Sequence, residues 1–273
     1  MRIVSLRPSI SIILDRLGCL DSLAACTRYC LDVVPELRDR SVPVVHDSWS
    51  TKTEELLPVR ADLVIASVPY RQESLTAILK SGRPVLALAS KTLADIYDDI
   101  RLIASVVHQS QRGATVVTEM QAEIAAVRSR TANLTRPSVY CEEWGKPLIH
   151  SQEWVAELVE AAGGSFVGKP GETTTAEAIA AADPDVVVAA WCGAGDRVPL
   201  ERIVEQRRWQ KLRAVSNRRV YCIADELLNT PAPTLPGGLH ALAEAIHPEI
   251  FGVLKNRHGR QIEEFLAITS KLK

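Results

Sequence analysis

The stretch SQRGATVVTEMQAEIAAVRSRTA, Ser110 to Ala132, decides how this chain is organised. Val117, Met120, Ile124 and Val127 recur at spacings of three and four, which is one stripe of an α-helix. A helix of that length extends about 35 Å at ~1.5 Å per residue, enough to carry the chain from one lobe to another. On both sides the rhythm changes to strands alternating with helices. The stretch therefore reads as a long helix linking two α/β lobes.

Outward towards the N-terminus, RIVSL (2–6), SLAACT (22–27), VPVVHDS (42–48), ADLVIAS (61–67) and RPVLALA (83–89) read as strands. Most are continuous apolar runs, as strands covered on both faces are. Between them lie helical segments. One starts at Pro8 and Ser9, with Ser9 a plausible N-cap, and closes at Gly18. Another, YRQESLTAILKSG, closes at Gly82.

Outward towards the C-terminus, SVYCEEW (138–144), DVVVAAWCG (185–193) and RRVYCIA (218–224) read as strands. SQEWVAELVEAAGG, TTTAEAIAAADP, PLERIVEQRRWQKL and GGLHALAEAIHP read as helices, and the residues after Phe251 as an added amphipathic helix. The predicted fold class is α/β: two Rossmann-like lobes with parallel sheets, joined by one long interdomain helix. The divisions are 1–108, 109–133 and 134–273.

Composition removes several function classes. A net charge of −1 over 273 residues offers no electrostatic footprint for nucleic acid. No run approaches the ~20 apolar residues of a membrane span. Arg7, Asp15 and Arg16 break every apolar run in the first thirty residues, so no export signal is read there. A cytoplasmic location is expected, periplasmic only if a leader has been removed. Six cysteines without a CxxC spacing point to reduced thiols rather than a disulfide framework or zinc ribbon. G-x-S-x-G, P-loop, dinucleotide and HExxH motifs are missing.

Five stretches carry a family resemblance: IVSLRPSISIIL, TRYCLDVVPEL, TEELLPVRADLVIAS, AEAIAAADPDVVVAA and NTPAPTLPGGLHALAEAIHP. In this order the chain resembles the helical-backbone class of ABC-transporter substrate-binding proteins, which bind cobalamin, iron-siderophores and haem. The cobalamin binders are the nearest subfamily. The resemblance implies a non-catalytic protein that holds a corrinoid (cobalamin-like) or related metal chelate in a cleft between the lobes. It places Tyr29, Trp49 and Asp225 where cobalamin binders carry the same residue types. Two positions depart from that pattern. KPGETTT (169–175) supplies no tryptophan, and Glu226 and Leu227 stand where aromatics follow the Asp. The resemblance also implies a permease partner, docked through Glu73 and either Asp196 or Glu201. The same acids could merely favour helix N-termini.

A planar macrocycle needs flat apolar surfaces and a few polar anchors at strand exits. The candidate ligand-binding residues are Ser9, Tyr29, Trp49, Tyr70, Arg71, Trp144, Trp191 and Asp225. Each tryptophan could equally close over the core. Trp154 and Trp209, inside helical patterns, are expected to pack, and His46 to be solvated or hydrogen-bonded.

A second reading starts from the thiols. Cys30, Cys141 and Cys192 fall at predicted strand exits, whereas Cys19, Cys26 and Cys222 read as small core residues. Three thiolates could hold a soft metal or three corners of an iron–sulfur cluster, making a cytosolic metalloprotein or enzyme. Independent buried cysteines are the alternative. Glu142 and Glu143 beside Cys141 could act as acid or base, although adjacent carboxylates are usually solvated.

Overall fold

The computed structural model describes residues 1–254 and 259–262, folded as two compact units. The first comprises Met1–Met120 together with Thr230–Pro233; the second comprises Gln121–Asn229 and the chain from Thr234.

The first unit runs β1 (Ile3–Ser5), α1 (Pro8–Arg16), β2 (Leu23–Thr27), α2 (Cys30–Val33), β3 (Val44–Val45), α3 (Thr53–Leu56), β4 (Leu63–Ser67), α4 (Gln72–Lys80), β5 (Val85–Leu88) and α5 (Leu93–Val106). Its sheet has the order β3-β2-β1-β4-β5, parallel throughout. The apolar runs explain this. Ile3, Val4, Ala25, Cys26, Val64 and Ile65 are buried, and helices cover both faces of such a sheet. α1 starts two residues earlier than Ser9 as N-cap would set it. Arg7 holds the N-cap position without a side-chain cap, because Pro8 suits the first helical position, where an N–H is not needed. The helix stops at Gly18, whose φ of +69° is left-handed. There the Gly18 N–H donates to Asp15 and the Cys19 N–H to Leu14, both at 2.8 Å.

Helix α6 (Ser110–Thr131) is the predicted long helix, with no strand between Leu93 and Asn133. Val117, Met120, Ile124 and Val127 are its buried stripe. The change from first to second unit falls within it, at Met120. In the first unit Glu119 lies 3.5 Å from Arg16; in the second Glu123 lies 3.5 Å from His240.

The second unit continues with β6 (Ser138–Gly145), β7 (Leu148–His150), α7 (Glu153–Ala161), β8 (Ser165–Phe166), β9 (Thr173–Thr174), α8 (Ala176–Ala182), β10 (Val186–Ala189), α9 (Leu200–Gln206), α10 (Arg213–Ser216), β11 (Val220–Ile223), α11 (Asp225–Leu228), α12 (Leu235–Ile246), α13 (Pro248–Phe251) and β12 (Gly259–Gln261). The sheet order is β12-β11-β10-β6-β7-β9, with β8 also beside β6. Its centre, β11-β10-β6, is parallel as predicted, but β7, β9 and β12 pair antiparallel. The β6–β7 hairpin has no sequence signal, since Lys146-Pro147 at its tip is not a usual hairpin-turn pair.

The helix expected after Phe251 lies partly outside the described residues. Of those described, 259–261 form the edge strand β12 instead. Trp209 is buried as expected, yet it follows α9 rather than lying in it. Its indole N–H donates to Ala176 at 3.0 Å and its ring meets Tyr140 edge-on. Trp154, in α7, donates to Leu228 at 2.8 Å.

Candidate functional site

In a parallel sheet the loops leaving the carboxyl ends of the strands converge on one edge, where ligands bind. In the first unit this edge carries Tyr29 after β2, Trp49 after β3, and Tyr70 and Arg71 after β4. Tyr29 and Trp49 are 37% and 40% exposed, unusually open for aromatics on a well-packed domain. Each carries an arginine on its face: Arg28 lies 4.8 Å from the Tyr29 ring centre and Arg71 4.6 Å from that of Trp49. The Trp49 backbone is fixed as well, its carbonyl accepting from Ser74 Oγ at 2.6 Å. Just upstream, Asp47 accepts from Ser50 N at 3.1 Å and Ser50 Oγ at 2.6 Å, and lies 3.7 Å from Arg7.

Tyr70 is half-buried, and its hydroxyl donates to the Leu88 carbonyl at 3.0 Å. Burial pushes its pKa up to about 12, so it stays a neutral donor. Ser9 is buried in the first turn of α1, just after β1. His46 is paired through Nδ1 with Glu55 at 2.7 Å.

In the second unit Trp144 stands near the end of β6, 44% exposed, with its indole N–H on Lys146 O at 2.9 Å. Trp191, after β10, is half-buried. Its indole N–H donates to Glu142 Oε1 at 2.7 Å and its six-membered ring rests on Gly145. Asp225, after β11, accepts from the backbone N–H of Gly193 at 2.8 Å and of Gly195 at 2.9 Å. Both glycines have positive φ, so the chain folds its amides towards the carboxylate.

Glu142 overturns the expectation of a solvated carboxylate. Its side chain is 1% exposed and takes a bidentate Arg207 at 2.6 and 2.8 Å. Burial, then the Glu142 charge beside it, drives the Tyr140 pKa far up. The pairing of Arg207 with Glu142, 65 positions apart, leaves no trace in the sequence.

Among the described residues, no group of three or more His, Cys, Asp and Glu side chains is placed to hold a metal ion. Of the three predicted thiols, Cys30 belongs to the first unit and Cys141 and Cys192 to the second. Cys30 is buried at the start of α2, with its sulfur 3.2 Å from Thr27 Oγ1. Burial pushes its thiol pKa up, but hydrogen bonds from Cys26, Ser11 and Thr27 outweigh that and bring it below the ordinary thiol value. Cys141 is fully buried, because β6 continues past it to Gly145 and makes it mid-strand rather than an exit. Burial pushes its pKa up. Cys192 is half-buried, 3.6 Å from Glu143 Oε1. All six cysteines are free thiols.

Residues 3–227 match the periplasmic binding protein family. The chain belongs to that family. The binding protein is 23% identical to an uncharacterized ABC transporter substrate-binding lipoprotein, YvrC, from Bacillus subtilis, over 92% of this chain and 81% of YvrC. Its fold is similar to that of the periplasmic haem-binding protein RhuT from Roseiflexus sp. RS-1, with a TM-score of 0.77, 23% identity, and coverage of 92% of this chain and 97% of RhuT. It is also similar to the periplasmic vitamin B12 binding protein BtuF of Vibrio cholerae, with a TM-score of 0.70, 21% identity, and coverage of 89% and 95%. Membership of that family makes binding a substrate the role of this protein. No described helix is long and apolar enough to cross a membrane.

Proposed function

We propose that this protein binds a planar metal chelate of the corrinoid or porphyrin type and delivers it to an ABC permease. One observation carries the reading. Among the described residues the exposed large aromatics are Tyr29, Trp49 and Trp144, and all three stand at the carboxyl ends of parallel strands. Flat rings of this size supply contact area at little cost in rotamer entropy. The arginines over Tyr29 and Trp49 suit a ligand with acidic groups at its rim, since a guanidinium can stack and still donate outward. Haem and vitamin B12, both flat metal macrocycles, are what RhuT and BtuF are named for binding.

Tyr70 and Asp225 support the site from behind in this reading, because their polar atoms already serve Leu88 and the 193–195 loop. The thiol-ligated metalloprotein has less support, since Cys141 is fully buried within β6 rather than at a strand exit. The kinship with a lipoprotein supports a location outside the cytoplasm in place of the cytoplasmic one read from the first thirty residues.

Spectrophotometric titration with cyanocobalamin, cobinamide and haemin tests the proposal. A saturable shift of the visible bands with at least one, at micromolar concentration, is the expected result. No shift with any of them at high micromolar concentration would defeat it.

A further inference from the structure

Beneath Trp144 lies a buried polar cluster that no ligand contact explains. The Glu142 carboxylate receives four donors. Oε2 accepts from Arg207 Nη1 at 2.6 Å and Tyr140 OH at 2.6 Å, and Oε1 from Arg207 Nη2 at 2.8 Å and Trp191 Nε1 at 2.7 Å. Glu142 is 1% and Arg207 11% exposed. A desolvated carboxylate is costly unless its acceptor sites are filled, and here both oxygens are doubly filled.

The cluster reaches from this carboxylate to the hairpin tip in two ways. Arg207 Nη2 also lies 3.4 Å from the Gly145 carbonyl. The Trp191 ring lies so close over Gly145 that a Cβ there would stand 2.7 Å from Cε2 and 2.8 Å from Cη2. Gly145 follows Trp144 directly and pairs with Leu148 across the hairpin. Register is irregular between Glu142 and Trp144, so regular ladder pairing does not by itself set where Trp144 points.

We propose that Glu142, Arg207 and Trp191 are positioning residues that clamp the tip of the β6–β7 hairpin and hold Trp144 in its ligand-facing orientation. Trp191 then acts as a strut and not as a ligand contact. The clamp deepens the binding reading and rests on it for its consequence, though not for its geometry. Arg207 is suited to this role because its planar fork serves a carboxylate and a carbonyl at once, which a lysine ammonium cannot do in the same geometry.

The test uses the full chain labelled with 5-fluorotryptophan, the resonances of Trp144 and Trp49 being assigned with Trp144→Phe and Trp49→Phe. Glu142→Gln and Trp191→Phe should shift and broaden the Trp144 resonance while leaving that of Trp49 in place. Trp191→Phe removes the indole N–H and shortens the ring that covers Gly145 while keeping an apolar side chain, so it keeps the test open if Glu142→Gln does not fold. Whichever of cobinamide, cyanocobalamin or haemin the wild type binds should bind Trp191→Phe about tenfold more weakly, mostly through faster dissociation. An unmoved Trp144 resonance in folded Trp191→Phe would overturn the clamp, even if its melting temperature fell. Failure of the wild type to bind any of the three would instead defeat the binding proposal, and the fluorine spectra would still decide the clamp.

Discussion

The Arg71 guanidinium stacks 4.6 Å from the centre of the Trp49 ring, joining the exits of β3 and β4 on one edge of the first sheet. The pair covers one face of the indole with a charged, hydrogen-bonding plane. Trp49→Ala should weaken ligand binding roughly 5- to 150-fold, the range of about 1–3 kcal/mol for one good aromatic contact. Arg71→Ala should weaken it only about 2- to 5-fold, because an exposed cation–π contact contributes about 0.5–1 kcal/mol. Calorimetry with the bound chelate ranks the two, and a larger loss for Arg71→Ala would mean that the arginine, rather than the ring, is the principal contact.

Asp225 offers a second check. Its carboxylate is occupied by the Gly193 and Gly195 amides. Asp225→Asn keeps one acceptor and loses the charge, so the loop around residues 192–196 should loosen. Hydrogen exchange at those amides should accelerate, with a stability loss of about 1–2 kcal/mol. Weaker ligand binding with unchanged exchange would show instead that Asp225 contacts the ligand.

Permease docking predicts a separable phenotype. Glu73 and Asp196 are exposed, whereas Glu201 is partly engaged by Arg260 at 3.4 Å. The double charge reversal Glu73→Arg with Asp196→Arg should leave ligand affinity unchanged and lower ligand-stimulated ATP hydrolysis by the reconstituted transporter. The deficit should be greatest at low salt, as for contacts that steer association. Unchanged stimulation would remove these acids from the docking surface.

Stability should fall in acid partly through Asp185. Burial raises its pKa, but hydrogen bonds from Ser138 N at 2.9 Å and Oγ at 2.7 Å, with Arg213 at 2.7 Å, outweigh it and leave it below the ordinary 3.8. A carboxyl depressed in the folded state stabilises the fold above its unfolded value and loses that contribution as pH falls through the folded one. Urea unfolding of Asp185→Asn between pH 2 and 6 should therefore show a flatter acid limb than the wild type. Parallel limbs would assign the acid sensitivity elsewhere.

Gly238 sets two backbone effects against each other. Within α12 an alanine gains about 1 kcal/mol in helix propensity. Yet its Cβ would enter the space of the Leu227 carbonyl oxygen and stand 2.8 Å from the Leu227 carbonyl carbon. Overpacking of this kind costs about 1–3 kcal/mol and here strikes backbone, which yields least. Gly238→Ala should thus lower the melting temperature; a rise would show that α11 shifts freely.

Strands, helices and the long α6 were legible because each rests on a local pattern. Continuous apolar runs such as Leu63–Ser67 fit a covered parallel strand, and Val117 to Val127 fit one helical stripe. That Tyr29, Trp49 and Trp144 stand at or just past the ends of apolar strands was legible for a related reason, but not that they point outward, since an aromatic there can also close over the core, as Trp191 does in part. The polar connections were not legible. Glu142 and Arg207 lie 65 positions apart, and nothing local to either marks it as buried or paired. The same limit applied to Cys141, placed mid-strand and not at an exit by the two further turns of pleat that carry β6 to Gly145. Residue type and period determined which segments become sheet and helix, and hence which loops share an edge. Only the tertiary structure decided which side chains on that edge face outward and which are held by partners. Burial and hydrogen-bond satisfaction are properties of the assembled neighbourhood, and no short window of sequence contains it.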